Sequence, residues 1–139
     1  MAIIDVPRLG EELNGFIISY DYTGDGLVEL SPSGIAEIIG SRNFGICYRY
    51  LYTIPLVLFF QMDLEEDDPI AVRGPSERIC GNVLVFGYDG SPRSLTDFEI
   101  QCLKNHTTME RYGENYTVIL NQITKEESEY STCDLCIDD

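Results

Sequence analysis

Leu56-Val57-Leu58-Phe59-Phe60 is the stretch that organises this chain. A strand with one face in water alternates apolar with polar residues, but here both parities are apolar. Such a strand belongs in the middle of a sheet, with something covering each face. A second β-rich run, Ile46-Cys47-Tyr48-Arg49-Tyr50-Leu51-Tyr52, precedes it, and Pro55 either separates the two strands or marks an edge.

Toward the N-terminus, Phe16 to Tyr22 and Leu27 to Leu30 are β-rich and flank Thr23-Gly24-Asp25-Gly26, where Asp-Gly predicts a hairpin turn. Ser31-Pro32 then supplies an N-cap and a first-turn proline for a short helix through Ile35, Ala36, Ile38 and Ile39, stopped by Gly40. Toward the C-terminus an acidic loop, Asp63 to Pro69, continues to Arg73-Gly74-Pro75. Ile79 to Gly87 reads as one strand and Tyr88 to Pro92 as a turn. Thr96 and Glu99 form a capping box that opens a helix to about His106, and Tyr116 to Ile123 reads as the last strand. These elements predict a single α+β domain over residues 1–123, with one mixed or antiparallel sheet of about five or six strands and two or three short helices. Residues 124–139, with six acids and one lysine, read as an acidic C-terminal tail, solvated or a frayed helix.

Charge is the unusual property. In 139 residues there are 24 Asp and Glu against nine Lys and Arg, a formal net charge of −15. Such a surface repels phosphate, which argues against direct binding to nucleic acid or an anionic membrane. It attracts basic protein surfaces, including those with which enzymes hold DNA or RNA; the plainer alternative is that acidity only confers solubility. The acids are unevenly spread: Asp63, Glu65, Glu66, Asp67 and Asp68 form one dense edge, and Glu126, Glu127 and Glu129 begin a second. Between Ile70 and Thr108 the charge is nearly balanced. The first residues lack a basic, apolar leader, and the run Ile54 to Phe60 is too short for a bilayer. Five cysteines, an odd number in a domain large enough to fold without staples, fit free thiols in a reducing, cytoplasmic compartment.

Three constellations were weighed for chemistry. Asp21, Asp25 and Gly26 match the opening of an EF-hand loop, but Pro32 stands where the bidentate glutamate belongs, so a hairpin turn is the better reading. Cys102 and His106 lie four apart on the expected helix, and Cys133 and Cys136 form a Cys-x-x-Cys pair that would complete a tetrahedral zinc set. The same four residues equally describe a half-buried thiol, a surface histidine and two tail thiols, so no metal or other cofactor is assigned. A catalytic triad would have to use His106, the only histidine, yet no nucleophile elbow, Walker A segment or Gly-x-Gly-x-x-Gly turn is present. The chain is read as a non-enzyme.

Ile79-Cys80-Gly81-Asn82-Val83-Leu84-Val85-Phe86-Gly87, followed by Ser94-Leu95-Thr96-Asp97-Phe98-Glu99, resembles an uncharacterised family of small proteins encoded by phages, plasmids and other mobile elements. Looser likeness extends over about Leu27 to Thr108, taking in the Ile35–Gly40 helix, the Leu56–Gln61 strand and Arg73. The resemblance implies no catalytic residues. It implies a context, in which small accessory proteins inhibit or divert host defence enzymes from within the host-cell cytoplasm. The expectation is therefore an acidic, non-enzymatic inhibitor that meets a basic surface on a host protein. The alternatives are a structural or regulatory accessory domain and a small zinc-binding module. A homodimer that buries strand edges is compatible with each.

Overall fold

The computed structural model describes residues 10–19, 21–64, 68–75 and 77–127. In chain order they form β1 (Glu12–Ile18), β2 (Thr23–Glu29), α1 (Pro32–Ile39), β3 (Phe44–Leu51), β4 (Ile54–Gln61), β5 (Ile70–Arg73) and β6 (Arg78–Cys80). Then come β7 (Val83–Tyr88), β8 (Pro92–Arg93), α2 (Asp97–Asn105), β9 (Thr107–Tyr112), β10 (Asn115–Leu120) and β11 (Ile123–Thr124). One sheet has the order β11-β3-β4-β7-β1-β2, with β8 paired to β7; a smaller sheet has the order β6-β5-β10-β9. Every pairing is antiparallel except β5 with β10.

The strand apolar on both faces, β4, lies between β3 and β7 in the middle of the large sheet. Its side chains divide by parity. Val57 and Phe59 join Leu84, Phe86, Leu13, Ile17 and Val28 beneath Ile35 and Ile39 of α1. Leu56 and Leu58 join Val83, Val85, Phe16 and Ile18 on the opposite face, which is covered by Ile100 and Leu103 of α2 and by Val72 and Leu120 of the small sheet. The large sheet is therefore the middle layer of three, and each fully buried Leu, Val or Phe contributes about 1.5–3 kcal/mol.

Both helix starts match the sequence reading. Ser31 Oγ accepts from the Gly34 amide at 3.0 Å, Pro32 occupies the first turn, and Gly40 closes α1 in the left-handed region. Thr96 and Glu99 exchange the two hydrogen bonds of a capping box on α2.

The α+β expectation with five or six strands in one sheet is overturned. The chain is mostly β, 52% strand against 15% helix, with two sheets of seven and four strands. Ile79 to Gly87 is not one strand: Gly81, at φ +82°, bends the chain so that β6 joins the small sheet and β7 the large one. Ile70–Arg73, assigned to a loop, is β5, and Thr107–Tyr112, between the helix and the last expected strand, is β9. The first hairpin also turns earlier than Asp25-Gly26. Ile18 pairs with Thr23, and the Ser19 amide donates to the Tyr22 carbonyl at 3.0 Å, so Gly24 and Gly26 lie inside β2. Gly26 faces Gly15 across the ladder, and the Phe86 ring occupies the space a Cβ on Gly15 would need.

Gly34 offers a test of this packing. It lies within α1, where alanine is ordinarily better than glycine by about 1 kcal/mol. Here, however, a Cβ would strike the Glu29 backbone carbonyl at the end of β2. Gly34→Ala is therefore expected to destabilise the protein by about 1–3 kcal/mol, read from the midpoint of urea unfolding. A rise in the midpoint would mean that α1 does not press on β2 in this way.

Candidate functional site

The surface electrostatics are governed by where the few cations go. Three arginines each bind one glutamate with two hydrogen bonds, and all three pairs tie elements together. Arg49 on β3 binds Glu77, just ahead of β6, through Nε and through Nη2 at 2.8 Å, linking the two sheets. Arg73 on β5 reaches Glu110 on β9 at 2.9 and 2.8 Å. Arg93 on β8 binds Glu99 at 2.8 Å through each oxygen, beside the α2 cap. Lys104 lies 3.8 Å from Asp25, and Lys125 lies 4.0 Å from Glu77. Arg111 sits over the Tyr116 ring, 5.6 Å from its centroid. Arg49, Arg73, Arg93, Lys104 and Lys125 are thus committed to carboxylates within the fold, and Glu11, Glu12, Glu29, Asp63, Glu126 and Glu127 face solvent.

Of the acids named from sequence, Asp63, Asp68, Glu126 and Glu127 lie among the described residues. Asp63 is exposed beyond the end of β4, and Glu126 and Glu127 are exposed beyond β11. Gln61 pairs with Phe44 at the start of β3, whereas Thr124 pairs with Tyr50 near its other end, so the two patches stand about 20 Å apart along that strand. Asp68 is half-buried and lines a groove on the outer face of the small sheet with Arg78, Arg111 and Tyr112. Glu65, Glu66, Asp67 and Glu129 lie outside the described residues.

The structure assembles a different acidic cluster that the sequence reading missed. Glu12 of β1 lies directly opposite Glu29 of β2, with exposed Glu11 beside them. Further along β2, exposed Leu27 and Asp25 share the face of Glu29. Neither Glu12 nor Glu29 has a cation within salt-bridge distance among the described residues. Like charges directly opposed across an antiparallel ladder are unfavourable, by the same few tenths to 1 kcal/mol, roughly, that opposite charges would gain there. Glu12 and Glu29 are far apart in sequence, so only the register of the hairpin, set by the turn at Ser19–Tyr22, could have revealed the pair.

The residues proposed for zinc have other roles. Cys102 is fully buried in the core on the α2 face of the large sheet. His106 is the C-cap of α2 and is buried against the Tyr52 ring, with centroids 5.3 Å apart. Its Nε2 makes no hydrogen bond among the described residues. Cys133 and Cys136 lie outside the described residues, within which no group of three or more His, Cys, Asp or Glu is arranged to hold a metal. His106 does line a cleft of about 430 Å³ with Arg73, Asn105, Thr108, Asn121 and Gln122. Two of the polar side chains there are already engaged: Arg73 by Glu110, and Asn121 by Thr108 at 2.9 Å. Cys47, Cys80 and Cys102 are free thiols, and burial pushes the Cys47 and Cys80 thiols up from their ordinary values.

No helix among the described residues is long and apolar enough to cross a membrane. Comparison with family models, with curated proteins and with solved structures gives no match to this chain.

The Arg93–Glu99 pair yields a pH prediction. Burial raises the Glu99 carboxyl, but hydrogen bonds from Arg93 and from the Thr96 amide outweigh it and hold the group below the usual carboxylate range. A depressed folded value means that the contribution is complete above the ordinary pKa of about 4.3 and is lost as pH falls through the folded value. Glu99→Gln is expected to cost about 1–3 kcal/mol at neutral pH, and progressively less below about pH 4, in urea titrations. A cost independent of pH would show that the carboxylate charge is not what stabilises the α2 start.

Proposed function

We propose that this protein is a non-enzymatic binding protein that engages a basic surface on another protein, of the kind nucleic-acid enzymes present to phosphate. The observation that carries this reading is the Glu12–Glu29 pair, which no cation among the described residues neutralises, in a chain of net charge −15 of which three arginines are bound by internal glutamates. A basic partner would supply the counter-charge the fold withholds. Leu27, 67% exposed beside Asp25 and Glu29, offers the apolar contact that an anionic patch needs to hold a partner once it has been attracted. Asp63, with Glu126 and Glu127, would extend the field rather than form the contact, since they stand at the two ends of β3. The resemblance to mobile-element proteins supports an inhibitor of a host defence or nucleic-acid enzyme, acting in the host-cell cytoplasm.

The test is capture of host-lysate proteins on the immobilised chain, followed by titration of the identified partner. Binding should weaken about tenfold or more between about 50 and 500 mM NaCl as charges are screened. The double variant E12Q/E29Q should bind more weakly, yet be more stable by up to about 1 kcal/mol, because the opposed charges are gone. Capture of no partner, or of one indifferent to both salt and the double variant, would leave the acidity as a device for solubility alone.

A further inference from the structure

The sheets end in edges that are treated very differently. On β2 the edge is partly plugged: the Tyr22 hydroxyl donates to the Asp25 carbonyl at 2.7 Å, and the Glu29 carbonyl receives the Ser31 amide at 2.9 Å. At the other edges, β6 is three residues long and β11 two. β9 is six residues long and carries no such plug. The Tyr112–Asn115 pair closes a two-residue turn, so residues 108, 110 and 112 bond to β10. The N–H and C=O of Met109 and Arg111 therefore point away from the sheet, and they have no partner among the described residues. Met109 is 67% exposed and Tyr116 61%, both on the side of the small sheet that faces the core at Leu120. The hairpin thus overhangs the core with its inward face uncovered.

We infer that β9 pairs antiparallel with β9 of a second copy, about a two-fold axis through Met109, joining the two four-stranded sheets into one. Charge selects this register. With Met109 opposite Met109, Thr107 faces Arg111 and Thr108 faces Glu110, and no like charges are opposed. Sliding by two residues one way sets Glu110 against Glu110, and the next step sets Arg111 against Arg111; sliding the other way sets Thr108 against Thr108 but leaves only residues 107–109 of β9 paired, against 107–111 in the chosen register. In the chosen register the outward N–H and C=O groups of residues 107, 109 and 111 meet one another, and Met109 is covered by its symmetry mate. The edge also carries no net negative charge, because Glu110 is bound by Arg73 and Arg111, lying on Tyr116, is cationic. The net charge of −15 opposes the approach of two copies only at long range, and salt screens that repulsion.

This surface is separate from the Glu12–Glu29 patch, and salt acts on the two in opposite directions. Sedimentation equilibrium of the full chain should show a monomer–dimer equilibrium that tightens about tenfold from about 50 to 500 mM NaCl. Met109→Lys should abolish the dimer by placing an edge lysine on β9, and Met109→Pro should do the same by removing an N–H that the monomer does not use. Hydrogen exchange on the unmodified chain, at low and high concentration, should slow at Met109 and Arg111 only where the dimer forms. A wild-type chain that stays monomeric at about 100 µM in 500 mM NaCl would overturn the inference. So would a dimer that survives both substitutions, or one that leaves these two amides unprotected. None of these results bears on binding to a basic partner.

Discussion

A strand that is apolar on both faces cannot stand against water, and β4 and β7 are two such strands side by side. Val57, Phe59, Leu84 and Phe86 require a cover on one face, and Leu56, Leu58, Val83 and Val85 require one on the other. The three-layer arrangement follows from this demand. A single short helix suffices for the first face because Ile35 and Ile39 insert over the ring-filled centre, where Phe59 meets Phe44 and Phe86 edge-to-face. The second face is larger than α2 can cover, and the small sheet completes it with Ala71, Val72 and Leu120. The bend at Gly81 then becomes a necessity, since it lets one stretch of chain serve both sheets.

The bidentate arginine pairs act on that frame. Arg49–Glu77 spans the two sheets and Arg93–Glu99 fastens the start of α2 to β8, each with both side chains at most 23% exposed. At that degree of burial, pairing is what allows the charges to leave water, and removal of one partner strands the other. The consequence reaches the surface. With three arginines committed to internal glutamates in a chain of net charge −15, many of the outer carboxylates are left to the solvent or to a partner.

What was legible in the sequence follows from how local each signal is. Ser31-Pro32 with Gly40, and Thr96 with Glu99, specify their helix ends within a few residues, and both hold in the structure. The central place of β4 was readable from parity alone. The small sheet was not, because Ile70–Arg73 is short and lies next to an acidic loop, and Thr107–Tyr112 carries polar side chains on both sides of an overhanging hairpin. Asp25-Gly26 misled because Gly26 lies within β2, against Ile17 and opposite Gly15, rather than in a turn. That misplaced turn concealed the register, and with it the Glu12–Glu29 pair. The candidate site was illegible for the same reason, since it is a property of pairing between distant residues, whereas the runs that stood out, around Asp63 and Glu126, are contiguous.

Net charge and edge design have to be considered together. Repulsion between highly charged copies is itself a guard against edge-to-edge association, and it works at a distance without any local plug. Yet β2, which carries Asp25 and Glu29, is also partly plugged by the Tyr22 hydroxyl, while β9, whose Glu110 is paired with Arg73 and is followed by Arg111, is left open. If charge alone managed the edges, the plug would be needed at β9 and not at the acidic strand. The reverse arrangement separates the two surfaces by function. The acidic edge, with two of its outward carbonyls occupied, is obstructed for main-chain pairing and can engage a partner through its side chains, whereas the β9 edge retains free main-chain groups and can accept a strand.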